Sequence, residues 1–338
     1  MADRVLLTGI SGFLGGHIAM ALLNAGFEVR GSVRNLNKAV KVQQTLSRAG
    51  ADISRLDFVE LDLSADRNWA EAMEGVRYLQ HTASPFTLTM PKDRNELIGP
   101  AVVGTERALH AAVSAGVDRM VLTSSMAAIA YGHDKTRTAP FGPGDWTVLG
   151  ERPLNAYIES KTRAERRAWE IMDAAGRHDD LATINPSAIF GPLLDDDPGT
   201  SATLVKRLMD GSVPAAPKIP ITAVDVRDVA AAHVAAMTSF EAGGRRFPMG
   251  DSALFFIDAA RLLRQHYPDR RIPSVELPDW AVRLYAFFDR DVRDNIGELG
   301  YAKRLDSSAA TQLLGRPLIP SEEAILATAN SLVEHRLV

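Results

Sequence analysis

Thr8-Gly9-Ile10-Ser11-Gly12-Phe13-Leu14-Gly15-Gly16 decides the fold. It is a G-x-x-G-x-x-G stretch that follows at once on the apolar run Val5-Leu6-Leu7 and opens into a helical pattern. Gly9 permits the tight turn, Gly12 lets the backbone come close to a pyrophosphate, and Gly15 lets the helix lie against the strand. The helix start offers unpaired N–H groups to an anion. Such a turn can also be a ligand-free junction, but its place after the first strand of a repeating series favours a dinucleotide.

The series is visible downstream. Short apolar or β-branched runs predict strands at 4–8, 28–33, 56–61, 76–81, 119–124 and 181–185. Helical patterns lie between them at 13–25, 38–49, 69–73, 94–115 and 156–175. Gly26, Gly50 and Gly116 each stand just past a helix, where a left-handed C-cap favours glycine. Strand–helix alternation of this kind predicts an α/β fold with a Rossmann-type, doubly wound parallel sheet. Beyond Asn185 the pattern loosens into helices at 200–209, 226–238, 257–266, 279–288 and 321–334. The expected division is a dinucleotide-binding domain at 1–188, with returns at about 221–246, and a smaller substrate-binding lobe at 189–220 and 247–338. Trp280, Tyr285, Phe287 and Phe288 lie near helical spacing and are expected in that lobe's core, and Asp195-Asp196-Asp197 reads as a solvated loop.

Composition narrows the partners. The 338 residues carry 38 Lys and Arg against 42 Asp and Glu, which gives no electrostatic reason to bind nucleic acid or an anionic membrane. With no cysteine, thiolate nucleophiles and Cys-ligated metals are excluded, and the eight histidines lack metal-ligand spacing, so no metal site is expected. No apolar run is long enough for a membrane span, and the start of the chain lacks a signal-peptide core, so the expected compartment is the cytoplasm.

The second strand bears on which dinucleotide is bound. An acidic residue about 20 positions past the glycines takes the ribose hydroxyls of NAD, whereas an Arg accommodates the 2′-phosphate of NADP. Glu28-Val29-Arg30-Gly31-Ser32-Val33 exits at Arg34 with no carboxylate, which predicts NADP(H), with Lys38 and Lys41 as helpers. Asp62 and Leu63 end the third strand where the adenine would lie, and Thr82-Ala83-Ser84-Pro85 end the fourth beside the switch-point crevice. Each is also ordinary turn chemistry.

A Tyr can serve as a proton donor near neutral pH if a cation stabilises its phenolate, and a Lys four residues later on a helix shares its face. Two Tyr-x-x-x-Lys matches occur. Tyr131 to Lys135 contains Gly132 and reads as a loop, so Tyr131 is expected in a loop or pocket wall; Tyr157 to Lys161 opens a long amphipathic helix. The fifth strand exits as Thr123-Ser124-Ser125-Met126, with Ser125 placed to bond a substrate carbonyl and Thr123 and Ser124 expected to satisfy backbone or supporting groups.

Together these elements resemble an extended short-chain dehydrogenase/reductase of the dihydroflavonol 4-reductase, cinnamoyl-CoA reductase and aldehyde/ketone reductase branch. The likeness rests on the glycine turn, Ser32-Val33-Arg34-Asn35, Asp62-Leu63, His81-Thr82-Ala83-Ser84-Pro85, Thr123-Ser124-Ser125 and Tyr157 to Lys161. It continues through Asn185-Pro186-Ser187-Ala188-Ile189-Phe190-Gly191-Pro192, Asp225 to Ala230 and Leu314-Gly315-Arg316-Pro317, where Arg316 replaces the usual Trp. The resemblance covers nearly the whole chain. It implies Ser125, Tyr157 and Lys161 as the catalytic set. It also implies cofactor contacts at Gly9, Ser11, Gly12, Phe13, Leu14, Gly15, Arg34, Lys41, Asp62, Leu63, Thr82, Ala83, Ser84, Tyr157, Lys161, Pro186 and Ile189.

The expected activity is NADPH-dependent reduction of an aldehyde or ketone, on a bulky or aromatic small molecule, by a monomer or homodimer. A nucleotide-sugar epimerase or dehydratase is the alternative on the same fold, and Arg34 argues against it. A non-catalytic NADP-binding sensor is the third reading, for which Ser125, Tyr157 and Lys161 would be superfluous. Loop residues such as Phe86, Met90 and Met126 cannot be assigned to the pocket from sequence.

Overall fold

Val5, Leu6 and Leu7 follow one another without a polar face, the pattern of a strand covered on both sides, and all three are fully buried. Val5 and Leu7 point into one core and Leu6 into another, as the alternation of a strand requires. The computed structural model describes residues 2–85, 91, 93–151, 154–288, 293 and 296–338; Phe86 and Met90 lie outside the described residues.

The first half runs β1 (Arg4–Thr8), α1 (Phe13–Asn24), β2 (Glu28–Val33), α2 (Ala39–Arg48), β3 (Leu56–Glu60), α3 (Trp69–Ala72), β4 (Tyr78–His81), α4 (Asn95–Ser114), β5 (Arg119–Thr123), α5 (Ala156–Ala174) and β6 (Leu181–Pro186). The second runs β7 (Ala188–Phe190), α6 (Gly199–Met209), β8 (Ala216–Pro217), β9 (Pro220–Asp225), α7 (Val226–Thr238), β10 (Arg245–Met249), β11 (Ala253–Phe255), α8 (Phe256–His266), β12 (Glu276–Leu277), α9 (Asp279–Tyr285), α10 (Ser308–Leu314) and α11 (Ser321–Glu334).

Among the described residues, seven strands form a parallel sheet in the order β10-β6-β5-β4-β1-β2-β3. This is the α/β, doubly wound Rossmann-type sheet that the alternation predicts. Helices α1 and α7 cover one face through Ile18, Leu22, Val229 and Ala236, and α4 and α5 cover the other through Leu109, Ala112, Ala168 and Met172. Each such aliphatic side chain larger than Ala stabilises by about 1.5–3 kcal/mol when fully buried. A third core gathers Phe190, Val205, Leu208, Ile257, Leu263, Ile325 and Leu332 from the second half. Gly26, Gly50 and Gly116 take positive φ, as their C-cap positions predict.

Some elements depart from the pattern reading. The seventh strand, Arg245-Arg246-Phe247-Pro248-Met249, is hidden by two arginines and a proline; it sits at the sheet edge, where a missing N–H is tolerated. Of the aromatics expected in the lobe's core, three are not core, and the side chain of Tyr285 lies outside the described ones. Trp280, Phe287 and Phe288 are exposed, because α9 ends at Tyr285 and leaves the last two beyond its packed face. Among the described residues, no helix is long and apolar enough to cross a membrane.

The glycine turn sets the distance between β1 and α1. A Cβ on Gly15 would lie 2.1 Å from the Gly9 carbonyl oxygen, far inside van der Waals contact with rigid backbone. Helix propensity alone would make Gly15→Ala stabilising by about 1 kcal/mol. Sterics reverse the sign: Gly15→Ala is expected to destabilise by more than about 2 kcal/mol in urea unfolding. Gly50→Ala, strained only by its positive φ in open space, should cost roughly 1–2 kcal/mol.

Candidate active site

The sheet reverses its winding between β1 and β4, so their C-terminal ends diverge into a crevice where α/β sheets hold ligands. The Gly9 turn leaves β1 there, with φ +76, and a Cβ would strike the Ala83 nitrogen at 2.8 Å and Thr82 Oγ1 at 2.9 Å. Thr82 Oγ1 donates to the Thr8 carbonyl at 2.5 Å. The Thr8 hydroxyl accepts from the Thr82 and Ala83 nitrogens, both at 3.1 Å. Its single proton therefore goes to His81 Nδ1, 2.8 Å away, which fixes the His81 proton on Nε2. Burial, with Lys161 adding, pushes the His81 pKa down to about 3, so this ring stays neutral.

The turn fits a pyrophosphate. Gly12 begins α1 without a side-chain cap, leaving the first N–H groups of the helix free for an anion, and a Cβ at Gly12 would meet only the Gly9 oxygen, at 3.4 Å. Ser11 is exposed beside it. The side chains of Phe13 and Leu14 turn away into the third and first cores, leaving their backbone toward the crevice.

At the other end of the crevice, Arg34 is exposed at the exit of β2 and close enough to Asp62 to favour its charged form. Asp62 Oδ1 accepts from the Ser64 nitrogen at 2.8 Å and its hydroxyl at 2.7 Å, which holds the carboxyl below its usual range; one oxygen thus serves the turn. Leu63 packs against Gly104. Lys38 is exposed. Lys41 is engaged: its Nζ lies 3.3 Å from Asp195 and 3.1 Å from Asp196, so the acidic run read as a solvated loop is tied to α2.

Ser125 ends the fifth strand's exit in extended conformation, and its Oγ accepts from the Ala127 nitrogen at 3.1 Å. Asn155 caps α5 by accepting from the Ile158 nitrogen, which fixes the first turn that carries Tyr157. Ser125 and Tyr157 are hydrogen-bonded, and Lys161 follows one turn later on the same face. Burial pushes the Tyr157 phenol up, and the Ser125 bond pulls it back in part. Burial pushes the Lys161 ammonium down to about 8, against the attraction of Glu165. Near neutral pH both carry their proton. Tyr131 stands beside Tyr157, with burial and that neighbour pushing its phenol up to about 12. Pro186 ends β6 buried, and Ile189 lies in β7 against Val224. Ser84 is half-buried at the crevice.

The structure therefore brings Ser125, Tyr157, Lys161 and, through His81 and Thr8, the glycine turn into one place. Arg34 and Asp62 form a second group. Thr123 and Ser124 bond side chains rather than backbone: Thr123 Oγ1 meets His233 Nε2 at 3.0 Å, and Ser124 donates to Glu165. Two neighbours escaped the sequence reading. Glu165 had a signal, its place four residues after Lys161 on the same helix. Buried Lys303, whose Nζ lies 4.2 Å above the Tyr131 ring, had none, since it arrives from the far end of the chain.

The family model of the NAD dependent epimerase/dehydratase family matches residues 5–250. A cinnamoyl-CoA reductase from Medicago truncatula is 34% identical over 280 residues, covering 81% of this chain and 84% of that protein. An NADPH-dependent methylglyoxal reductase from Saccharomyces cerevisiae is 32% identical over 291 residues, covering 78% and 82%. The solved structure of yeast methylglyoxal/isovaleraldehyde reductase complexed with NADPH superposes with a TM-score of 0.82 at 25% identity, over 98% of this chain and 99% of that one.

Lys161 has a measurable stability signature. It releases its proton near 8 in the folded chain and at the ordinary value of 10.5 when unfolded, so between those values the unfolded chain binds more protons and stability rises with pH. Lys161→Met is expected to raise Tm below about pH 8, with the gain shrinking to nothing above about 10.5. Thermal unfolding of both proteins across that range checks it.

Proposed function

The chain belongs to the NAD dependent epimerase/dehydratase family, among the extended short-chain dehydrogenase/reductases, and is an NADPH-dependent reductase; we propose that it reduces an aldehyde or ketone on a bulky or aromatic small molecule, with Ser125, Tyr157 and Lys161 as its catalytic residues. The observation that carries this reading is the Ser125–Tyr157 hydrogen bond with Lys161 one turn further along α5, at the crevice where the glycine turn ends β1.

Bound NADPH supplies the hydride. The uncapped start of α1 and the turn at Gly9, Gly12 and Gly15 would hold its pyrophosphate, with Ser11 and the backbone of Phe13 and Leu14 alongside. Arg34 would take the 2′-phosphate. Lys41 would join it by exchanging its pairing with Asp195 and Asp196, an exposed ion pair of small net worth. Asp62 and Leu63 would meet the adenine, Thr82, Ala83 and Ser84 would line the crevice, and Pro186 and Ile189 would wall the nicotinamide.

Tyr157, kept protonated by burial, gives its proton to the carbonyl oxygen as negative charge develops there. The Ser125 hydroxyl donates to the same oxygen and orients it. Lys161, still an ammonium at neutral pH, would hold the ribose of the bound cofactor and would stabilise the phenolate left on Tyr157. Met126 and Tyr131 pack against the same small core of Ile129, Ala130, Phe141 and Leu305, and that apolar flank suits a bulky substrate. The division of labour follows: residues 1–188, with returns at about 221–246, serve the cofactor, and 189–220 with 247–338 close over the substrate. The separate core of the second half supports a second lobe, but its bounds differ in detail: Phe247 and Met249 belong to strand β10 and, with Ala310, pack in the large sheet's core, while Ile221 and Ala223 pack in the second lobe's core. The reading extends to a cytoplasmic monomer or homodimer, which light scattering of the purified protein checks.

Loss of NADPH absorbance with a panel of aldehydes and ketones tests the activity. Tyr157→Phe should keep NADPH binding and lose about a hundredfold or more in kcat; a rate like that of the wild type removes the assignment. Arg34→Ala should weaken NADPH about tenfold or more and leave NADH within about twofold, as expected for a lost charge-assisted bond to the phosphate. Equal weakening of both cofactors would show that Arg34 does not read the phosphate.

A further inference from the structure

Behind Lys161 lies a carboxylate that neither hydride nor proton transfer uses. Glu165 is fully buried one turn further along α5. Its Oε2 accepts from the Ser124 hydroxyl and from Asn185 Nδ2 at 2.7 Å. Its Oε1 accepts from Arg246 Nε at 2.6 Å, Thr183 Oγ1 at 3.2 Å and Trp169 Nε1 at 3.4 Å. One carboxylate thus ties the catalytic helix to the exit of β5, to β6 and to β10. Arg246 carries the tie outward: its Nη1 donates to the carbonyls of Pro143 at 2.8 Å and Asp145 at 2.5 Å, and its guanidinium lies 3.8 Å over the Trp146 ring.

The charge of this ion pair is not what stability requires; the hydrogen bonds to Ser124, Asn185, Thr183 and Trp169 could be accepted by a neutral amide. Both partners are stripped of water, and apolar residues of similar volume generally replace a buried pair without loss. An apolar pair could not accept a bond from Ser124, the residue that sets the backbone entering Ser125. It also could not place negative charge one turn from the Lys161 ammonium. Resting on the reading of Ser125, Tyr157 and Lys161 given above, we propose that Glu165 is a positioning residue of the reduction: through Ser124 it fixes Ser125, and through its charge it keeps Lys161 an ammonium.

The groups facing this lysine agree with that role. From β4 comes His81, held neutral. On its own helix stand Tyr157 and Glu165, and beyond Tyr157 lie Tyr131 and Lys303, whose proton is released near 7 because burial and Lys135 disfavour its charge. Among the groups that act on Lys161, Glu165 supplies the opposing, charge-favouring pull.

The test uses the full chain with NADPH and whichever carbonyl compound it reduces fastest. Glu165→Gln keeps the shape and removes the charge. It should bind NADPH as the wild type does, lose about tenfold or more in kcat, and move the high-pH fall of kcat/KM down by about one unit, because Lys161 then deprotonates earlier. The double substitution Glu165→Gln with Arg246→Gln removes the buried charges together and leaves an amide at 165 to bond Ser124, Asn185 and Thr183, so it is the variant to use if the single one does not fold, and it should show the same slow rate and the same shift. A purely structural role would lower Tm and leave the pH limb and the rate per folded molecule unchanged; that result in either folded variant overturns the proposal. Tyr157→Phe run in parallel separates the two readings, since it is slow whenever the site is correctly assigned, whatever Glu165 does.

Discussion

The backbone of residue 9 and the first turn of α1 lie closer together than any side chain would allow. That contact fixes the angle at which α1 leaves β1, and so where the uncapped helix start points. It also brings Thr8 and His81 into register across the two central strands. The rest of the site is arrayed around that pair: the charge of Lys161, on α5, disfavours protonation of His81, and Tyr157, one turn earlier on the same helix, meets Ser125. Gly9 itself is hemmed in by Thr82 and Ala83. The crevice is therefore narrow because of glycine, and it is specific because narrowness forces every neighbouring polar group to find a fixed partner.

Burial does two opposite things in this crevice. It raises the phenols of Tyr157 and Tyr131 and lowers the amines of Lys161 and Lys303. Partners then correct selectively, with the Ser125 hydroxyl acting on Tyr157 by a hydrogen bond and the Glu165 charge on Lys161. The outcome is a phenol and an ammonium that both hold their protons near neutral pH, the state that the proposed reduction requires of them. Neither group could be tuned this way at the surface, where water would screen the partners.

Much of this was legible in the sequence because the governing contacts are local. The glycine turn, the C-cap glycines and the Tyr157–Lys161 spacing are short-range patterns, and the structure places all of them where such spacing requires. Strand β10 was not legible, since Arg245, Arg246 and Pro248 carry no strand signal and their register is set by β6, some sixty residues earlier. Lys303 was hidden for the same reason. Asp195 to Asp197 do lie in a solvent-exposed loop, as expected, but the pairing of Asp195 and Asp196 with Lys41 was not legible, because Lys41 is distant in sequence. Trp280, Phe287 and Phe288 were misread: helical spacing says which residues share a face, not whether anything covers it. Arg316, at odds with the family pattern, has its own local answer in an ion pair 2.6 Å from Asp228.

Strand β10 has a consequence for how the protein is made. As a chain emerges from the ribosome, β6 is complete once Pro186 is out, yet its neighbour is not available until Met249 has followed. Throughout that interval β6 is an open edge strand whose residues are all buried in the finished fold, the kind of surface on which nascent chains associate. Glu165 is in the same position, a carboxylate on an already formed helix whose counter-ion is still to be synthesised. Strand β10 thus closes the seven-stranded sheet and pairs the buried charge of α5 in one event, so a message truncated before it would yield a chain with an intact glycine turn and an unfinished core.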